Sequence, residues 1–171
     1  MQIIDKVKSM MDGPIDIELI PVSQWRQNAR CLLHRRQWDK IRHYVYRRAE
    51  FKCEACGATN TELHAHEQWK FGFMFHWVWG FVPWFLWKQK LVGFRCLCEM
   101  CHLATHLGFA ENEGRQTEAM EHLKRVNGWN QFLANHHKSI AFKKVRRLGQ
   151  RKNWFLDIDL AHKTLEGIDN G

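Results

Sequence analysis

The sequence is short of acid: 18 Asp and Glu stand against 26 Lys and Arg, a formal net charge of +8. That imbalance fits a polyanionic partner, because Lys and Arg contacts to phosphate dominate nucleic-acid affinity. Charge alone does not identify such a partner, since many basic proteins bind no nucleic acid. A secretory leader is not expected either. The opening MQIIDKVKSMMDGPIDIELI has neither a long apolar core nor a small-residue cleavage site. The expected location is therefore cytoplasmic and reducing, where the six Cys read as metal ligands or free thiols before disulfides. No internal repeat and no low-complexity tail interrupts the chain. Its 171 residues suit one domain with appendages, or at most two small domains. The apolar fraction of 45% suffices for a packed core, and nine Trp are spread unevenly.

Ile15, Ile17 and Leu19 alternate with Asp16 and Glu18, which predicts a short strand ended by Pro21. A helical stretch is expected after Ser23, with Trp25, Ala29, Leu32 and Leu33 on one face, and another through Trp38, Ile41 and Val45. Arg30, Arg35, Arg36, Arg42, Arg47 and Arg48 decorate this region. They are either solvated helix faces or a surface that touches phosphate. Further on, Glu118–Val126 reads as a helix broken by Asn127-Gly128. Another runs from Trp129 to Leu148, with Phe132, Leu133, Ile140, Ala141 and Val145 as its core face. Trp154, Leu156, Ile158 and Leu160 alternate like a strand, and the closing GIDNG is expected to fray.

The chemistry sits in residues 53–106. Cys53-Glu-Ala-Cys56-Gly57 and Cys98-Glu-Met-Cys101-His102 are two C-x-x-C pairs. Two residues between thiolates let both sulfurs reach one ion from a tight turn, and Gly57 supplies freedom just after it. Together they predict one tetrahedral Zn2+ site with a structural role. Cys31 and Cys96 are left over. Cys96 would share a strand face with Cys98, as a substitute ligand or as a free thiol.

Four histidines flank these knuckles. In an extended Leu63–Glu67, His64 and His66 point to one face. His102 and His106 stand at i, i+4, one helical turn apart. Closing the zinc site would bring the two pairs together, and imidazoles so placed can grip one divalent ion.

The order of CEACG, LHAHEQW and LCEMCHLATH resembles the HNH (ββα-metal) endonucleases. The resemblance extends loosely over residues 20–130 and is specific only in those three motifs. It implies an α+β fold: a small ββα-metal domain pinned by four cysteines, at residues 51–110, between an N-terminal region 1–50 and a C-terminal helical region 111–171. It also implies hydrolysis of phosphodiester bonds in DNA. His66 would be the general base acting on water, beside one divalent cation (Mg2+, Mn2+ or Zn2+). By position His102 and His106 resemble the ligands of that ion. Many relatives place an acidic or His ligand directly before the base, where this chain has Ala65. His64 or Glu67 would then fill the vacancy, or it stays empty; on an ideal strand Glu67 points away from His66 and orients a neighbour or caps a turn. Ala65 also keeps a rival open, a non-catalytic zinc module that binds nucleic acid or protein, and a further rival is a membrane-associated protein that uses the aromatic residues 71–87.

Residues 71–87, FGFMFHWVWGFVPWFLW, form an aromatic-rich insertion between the knuckles. Phe71, Phe73, Phe75, Trp77, Trp79 and Phe81 recur at period two, so a strand would have one wholly aromatic face. As a helix the stretch spans about 26 Å against a hydrocarbon core of about 30 Å, and its Gly and Pro83 fit a span poorly. Both knuckles must also return to one zinc, which favours a hairpin or packed loop over a membrane span or surface insertion. Such a patch packs on the C-terminal helices, forms a homodimer face, or stacks on bases. His76 is read as incidental there.

Overall fold

In the computed structural model, which describes residues 13–78 and 82–170 and their side chains except at 75–85, a long hairpin organises the chain. Strand β1 (Leu63–Val78) pairs antiparallel with β2 (Val82–Cys98), from Leu63↔Cys98 to Val78↔Val82. Residues 71–78 and 82–87 are therefore the outer parts of the strands that carry the His and Cys motifs. Aromatic and β-branched residues favour this pleated backbone. Trp79 and Phe81 lie outside the described residues, as do the side chains of Phe75, His76 and Trp77. The register shifts once, between Gln68 and Trp69. Gly93 allows the close approach there: a Cβ on it would stand 2.6 Å from Gln68 Oε1. Strand β3 (Trp154–Asp157) joins β2 in parallel, giving a three-stranded sheet in the order β1-β2-β3.

The helices are α1 (Ala29–Leu32), α2 (Arg35–Arg48), α3 (Glu99–Thr105), α4 (Leu107–Asn112), α5 (Gln116–Asn127), α6 (Gln131–Gly149) and α7 (Asp159–Asp169). The long helices start and stop on recognisable signals. His34 and Gln37 form a capping box on α2. Gly128, at φ 65°, ends α5, and the Asn130 side chain accepts from Leu133 N at the start of α6.

Five expectations change. Residues 15–20 make no ladder. The Asn127 side chain accepts from Ile15 N at 2.9 Å and donates to Ile15 O at 2.8 Å, and Glu18 N donates to Thr105 O at 2.9 Å. Backbone polar groups satisfied this way need no partner strand. The helix expected after Ser23 is broken by Arg26, at φ 66°, leaving a 3-10 turn at Val22–Gln24 and the single turn α1, with Trp25 and Leu32 exposed. In α6 only Ala134 is buried, and Phe132 and Ile140 are exposed. The strand at 154–160 stops at Asp157, whose carboxylate accepts from Asp159 N and opens α7. That helix runs on to Asp169, where Lys40 pairs with it, so the expected fraying does not begin at Gly167.

Two apolar clusters hold these elements. One joins Leu97, Leu103, Leu107 and Leu123 to Ile15 and the buried cysteines. The other joins Ile41 and Val45 of α2 to Leu91 and Phe94 of β2 and Leu165 of α7. The aromatic arms are partly covered from the C-terminal side: Trp154 meets Phe71 at 5.7 Å and Trp87 at 5.8 Å, and Arg151 lies over Trp87 at 4.7 Å. Among the described residues no helix is long and apolar enough to cross a membrane.

Glu67 is spent on this architecture. Its carboxylate accepts from Ala29 N at 3.2 Å and Arg30 N at 3.0 Å, the first turn of α1, and from the Trp69 indole at 3.1 Å. Burial pushes its carboxyl above the ordinary range while these donors pull it back. Glu67→Ala is expected to cost about 1–3 kcal/mol, because it orphans two helix N–H groups. The urea midpoint should fall while metal content stays unchanged.

Candidate functional site

Cys53 and Cys56 lie in the turn before β1; Cys98 closes β2 and Cys101 sits in the first turn of α3. All four sulfurs lie within 4.8 Å of one another. Gly57, at φ 75°, folds the first knuckle back, with Gly57 N donating to Cys53 O at 2.8 Å. Cys98 Sγ accepts from Cys101 N at 3.5 Å, so the second knuckle caps α3. The Cys56 and Cys98 sulfurs are 3.7 Å apart. Thiolates at about 2.3 Å from a tetrahedral ion stand about 3.8 Å from each other. Hydrogen bonding from Cys101 holds the Cys53 thiol low, and the same contact pushes Cys101 up. Thiols this close ionise together only around a cation, so the group could hold a metal ion such as zinc. Cys96 stands outside it, buried in the other apolar cluster. Burial, with the nearby Glu54 charge, pushes its thiol up to about 11.

A fifth residue touches this cluster that the motifs did not reveal. His122 of α5 places Nε2 3.1 Å from Cys101 Sγ, and its Nδ1 is 2.8 Å from the Arg125 guanidinium. A guanidinium only donates, so Nδ1 accepts and Nε2–H donates to the sulfur. The available signal was a histidine beside Leu123 on the helix face that also carries Ala119 and Val126.

The second group is made of imidazoles. One ring nitrogen each from His66, His102 and His106 lies within 4.8 Å of the others. Ring centroids are 4.9 Å apart for His66–His106, 5.4 Å for His66–His102 and 4.7 Å for His102–His106. The alternation of β1 aims His66 inward. The pair on the second motif is not on one continuous helix: α3 stops at Thr105, and His106 (φ −94°, ψ 54°) is the junction to α4. His64 lies flat on His102 at 4.8 Å rather than among the three nitrogens. His66 is only 2% exposed, and neither its Nε2 nor that of His64 has a hydrogen-bond partner. Buried unpaired nitrogens are costly unless something binds them. The donor set suits a divalent ion, because neutral imidazole is a ligand for zinc and its neighbours.

Burial pushes His102 down to about 2 and His106 down to about 4, with neighbouring imidazoles adding to both effects. Their neutral forms thus prevail at pH 7. A histidine depressed in the folded state contributes stability that is complete above its ordinary 6.5 and is lost as pH falls toward the folded value. The urea midpoint is therefore expected to decline as pH drops from 6.5 to 4. His106→Gln should flatten that decline, and an unchanged slope would contradict it.

A cleft of about 750 Å³ opens over the imidazoles. Its walls include His64, His66, His102 and His106, with Arg30, Arg35 and Arg42. Arg42 has an unpartnered buried Nε and pairs through NH2 with Asp39 at 3.1 Å. Arg48 turns to Glu54 and to Phe94 O, while Arg36 and Arg47 are exposed and do not line the cleft. Arg30, one of the arginines the sequence offered for phosphate contact, reaches the cleft because Glu67 holds α1 against β1.

Comparison with protein-family models, with curated proteins and with solved structures found no match.

Proposed function

We propose that the protein is a metal-dependent endonuclease of the HNH (ββα-metal) type, hydrolysing phosphodiester bonds in DNA. The observation that carries this reading is the convergence of His66, His102 and His106 in a cleft walled by Arg30, Arg35 and Arg42. The succession β1, β2, α3 supports it as a ββα unit, with its open ends tied by the four cysteines around a structural zinc.

His102 and His106 are the proposed ligands of a divalent cation, which when bound supplies Lewis-acid stabilisation of charge developing on the phosphate. His66, beside them, takes the proton from the attacking water. His64 holds the plane of His102 by stacking. The arginines opposite neutralise and orient the phosphodiester, with the free Nε of Arg42 as a donor.

Supercoiled plasmid with Mg2+, Mn2+ or Zn2+ tests the proposal. Nicking that EDTA abolishes and added metal restores is the expected result. No cleavage with any of the three would leave the rival, a non-catalytic zinc module, which the diversion of Glu67 to α1 favours.

A further inference from the structure

We infer that Glu18 is a positioning residue for His66: its carboxylate fixes which ring nitrogen carries the proton. The consequence for cleavage rests on the nuclease reading above; the positioning itself does not.

The segment bearing Glu18 is anchored at two points. Asn127 grips the backbone of Ile15 at 2.9 and 2.8 Å, and Glu18 N donates to Thr105 O at 2.9 Å. This holds Glu18 Oε2 3.3 Å from His66 Nε2, a nitrogen shut off from solvent that makes no hydrogen bond in this arrangement, with the carboxylate standing beside it as an acceptor. Among the described residues the Glu18 carboxylate faces the His66 ring, a contact that is an ion pair only if the ring is protonated. The Glu18 backbone carbonyl also lies within hydrogen-bonding reach of the His106 ring. One residue thus contacts two of the three clustered imidazoles. Glu18 lines a neighbouring hollow of about 400 Å³ with Trp25 and Phe109, not the cleft itself, so it stands behind His66.

A carboxylate at Nε2 draws the proton of a neutral imidazole to that nitrogen and leaves Nδ1 with the lone pair. Without it the ring redistributes between tautomers and can turn over. The approach at 3.3 Å is loose for a hydrogen bond. Such contacts tighten when substrate is bound.

The test uses 15N-labelled, zinc-replete full-length protein. Long-range 1H–15N spectra recorded above the imidazole titration range should show His66 as the Nε2–H tautomer in the wild type. Glu18→Ala should show a mixture. Glu18→Gln keeps an acceptor oxygen of the same reach and should lie between them; it also serves if the alanine variant folds poorly. Nicking by Glu18→Ala should lose about 10–100-fold in kcat with little change in KM, because Glu18 does not touch the cleft. An identical His66 tautomer in wild type and both variants overturns the inference, as does a loss confined to KM. A wild type that never nicks DNA overturns the nuclease reading instead, and the spectra still decide the role of Glu18.

Discussion

On the proposed nuclease reading, a His66→Ala protein is expected to keep its cysteine cluster and its fold, and to lose metal-dependent plasmid nicking by about 10²–10⁴-fold. The imidazole is on β1, opposite Arg95, while the four cysteines gather at the hairpin's open end and the first turn of α3. Its loss therefore removes the proposed proton acceptor without removing any of the four clustered sulfurs. Two comparisons give the result meaning. His102→Ala and His106→Ala should lose divalent-ion binding together with nicking, since those rings are the proposed ligands. His64→Ala should cost only about 10–100-fold, as expected for a residue that holds a ligand in place, because His64 stacks on His102 and stands outside the three-nitrogen group. Undiminished nicking by His66→Ala removes His66 from the chemistry. A loss accompanied by loss of the cysteine-bound metal would assign it to the scaffold.

What the sequence discloses is local. Two residues between cysteines, period two between His64 and His66, and Asn127-Gly128 after a helical run each encode geometry within a few bonds of themselves. Spacing accordingly places four sulfurs together, and the cap residues place the ends of α5 and α6. The features that escape are those whose partner is far along the chain. Glu67 visibly points away from His66 by alternation, yet nothing nearby says that it caps a helix beginning at Ala29. Ile15 alternates with Asp16 as a strand would, but its backbone partner is the side chain of Asn127. Glu18 and His122 reach the two clusters only through tertiary packing, from a segment and a helix that look ordinary by themselves. The aromatic run was legible as a hairpin or packed loop from the requirement that both knuckles return to one place. Its continuity with β1 and β2 follows from the pairing that extends to Val78↔Val82.

Cys98→Ser should have the largest effect on stability. Cys98 is 4% exposed, ends β2 opposite Leu63, caps α3 and lies 3.7 Å from Cys56. A hydroxyl does not replace the thiolate as a zinc ligand, so three sulfurs would be left crowded around a weakened site. Structural zinc in small sites contributes on the order of 10 kcal/mol of apparent binding free energy, which is folding free energy when the site does not exist unfolded. Domains are stable by about 5–15 kcal/mol, so the loss is comparable to the whole. The cysteines also belong to the cluster that packs Leu103 and Leu107 of α3 and α4, the helices that carry His102 and His106 to the cleft. Loss of the sulfur site should therefore disperse the imidazole site as well. The expected result is protein lacking the tightly held metal, with a broad or absent thermal transition and no nicking. Cys31→Ser is the control: Cys31 is exposed and outside the group, and its variant should match the wild type. A Cys98→Ser protein with full metal content and an unchanged transition would contradict the four-sulfur site. Wild-type protein without bound metal would contradict it as directly.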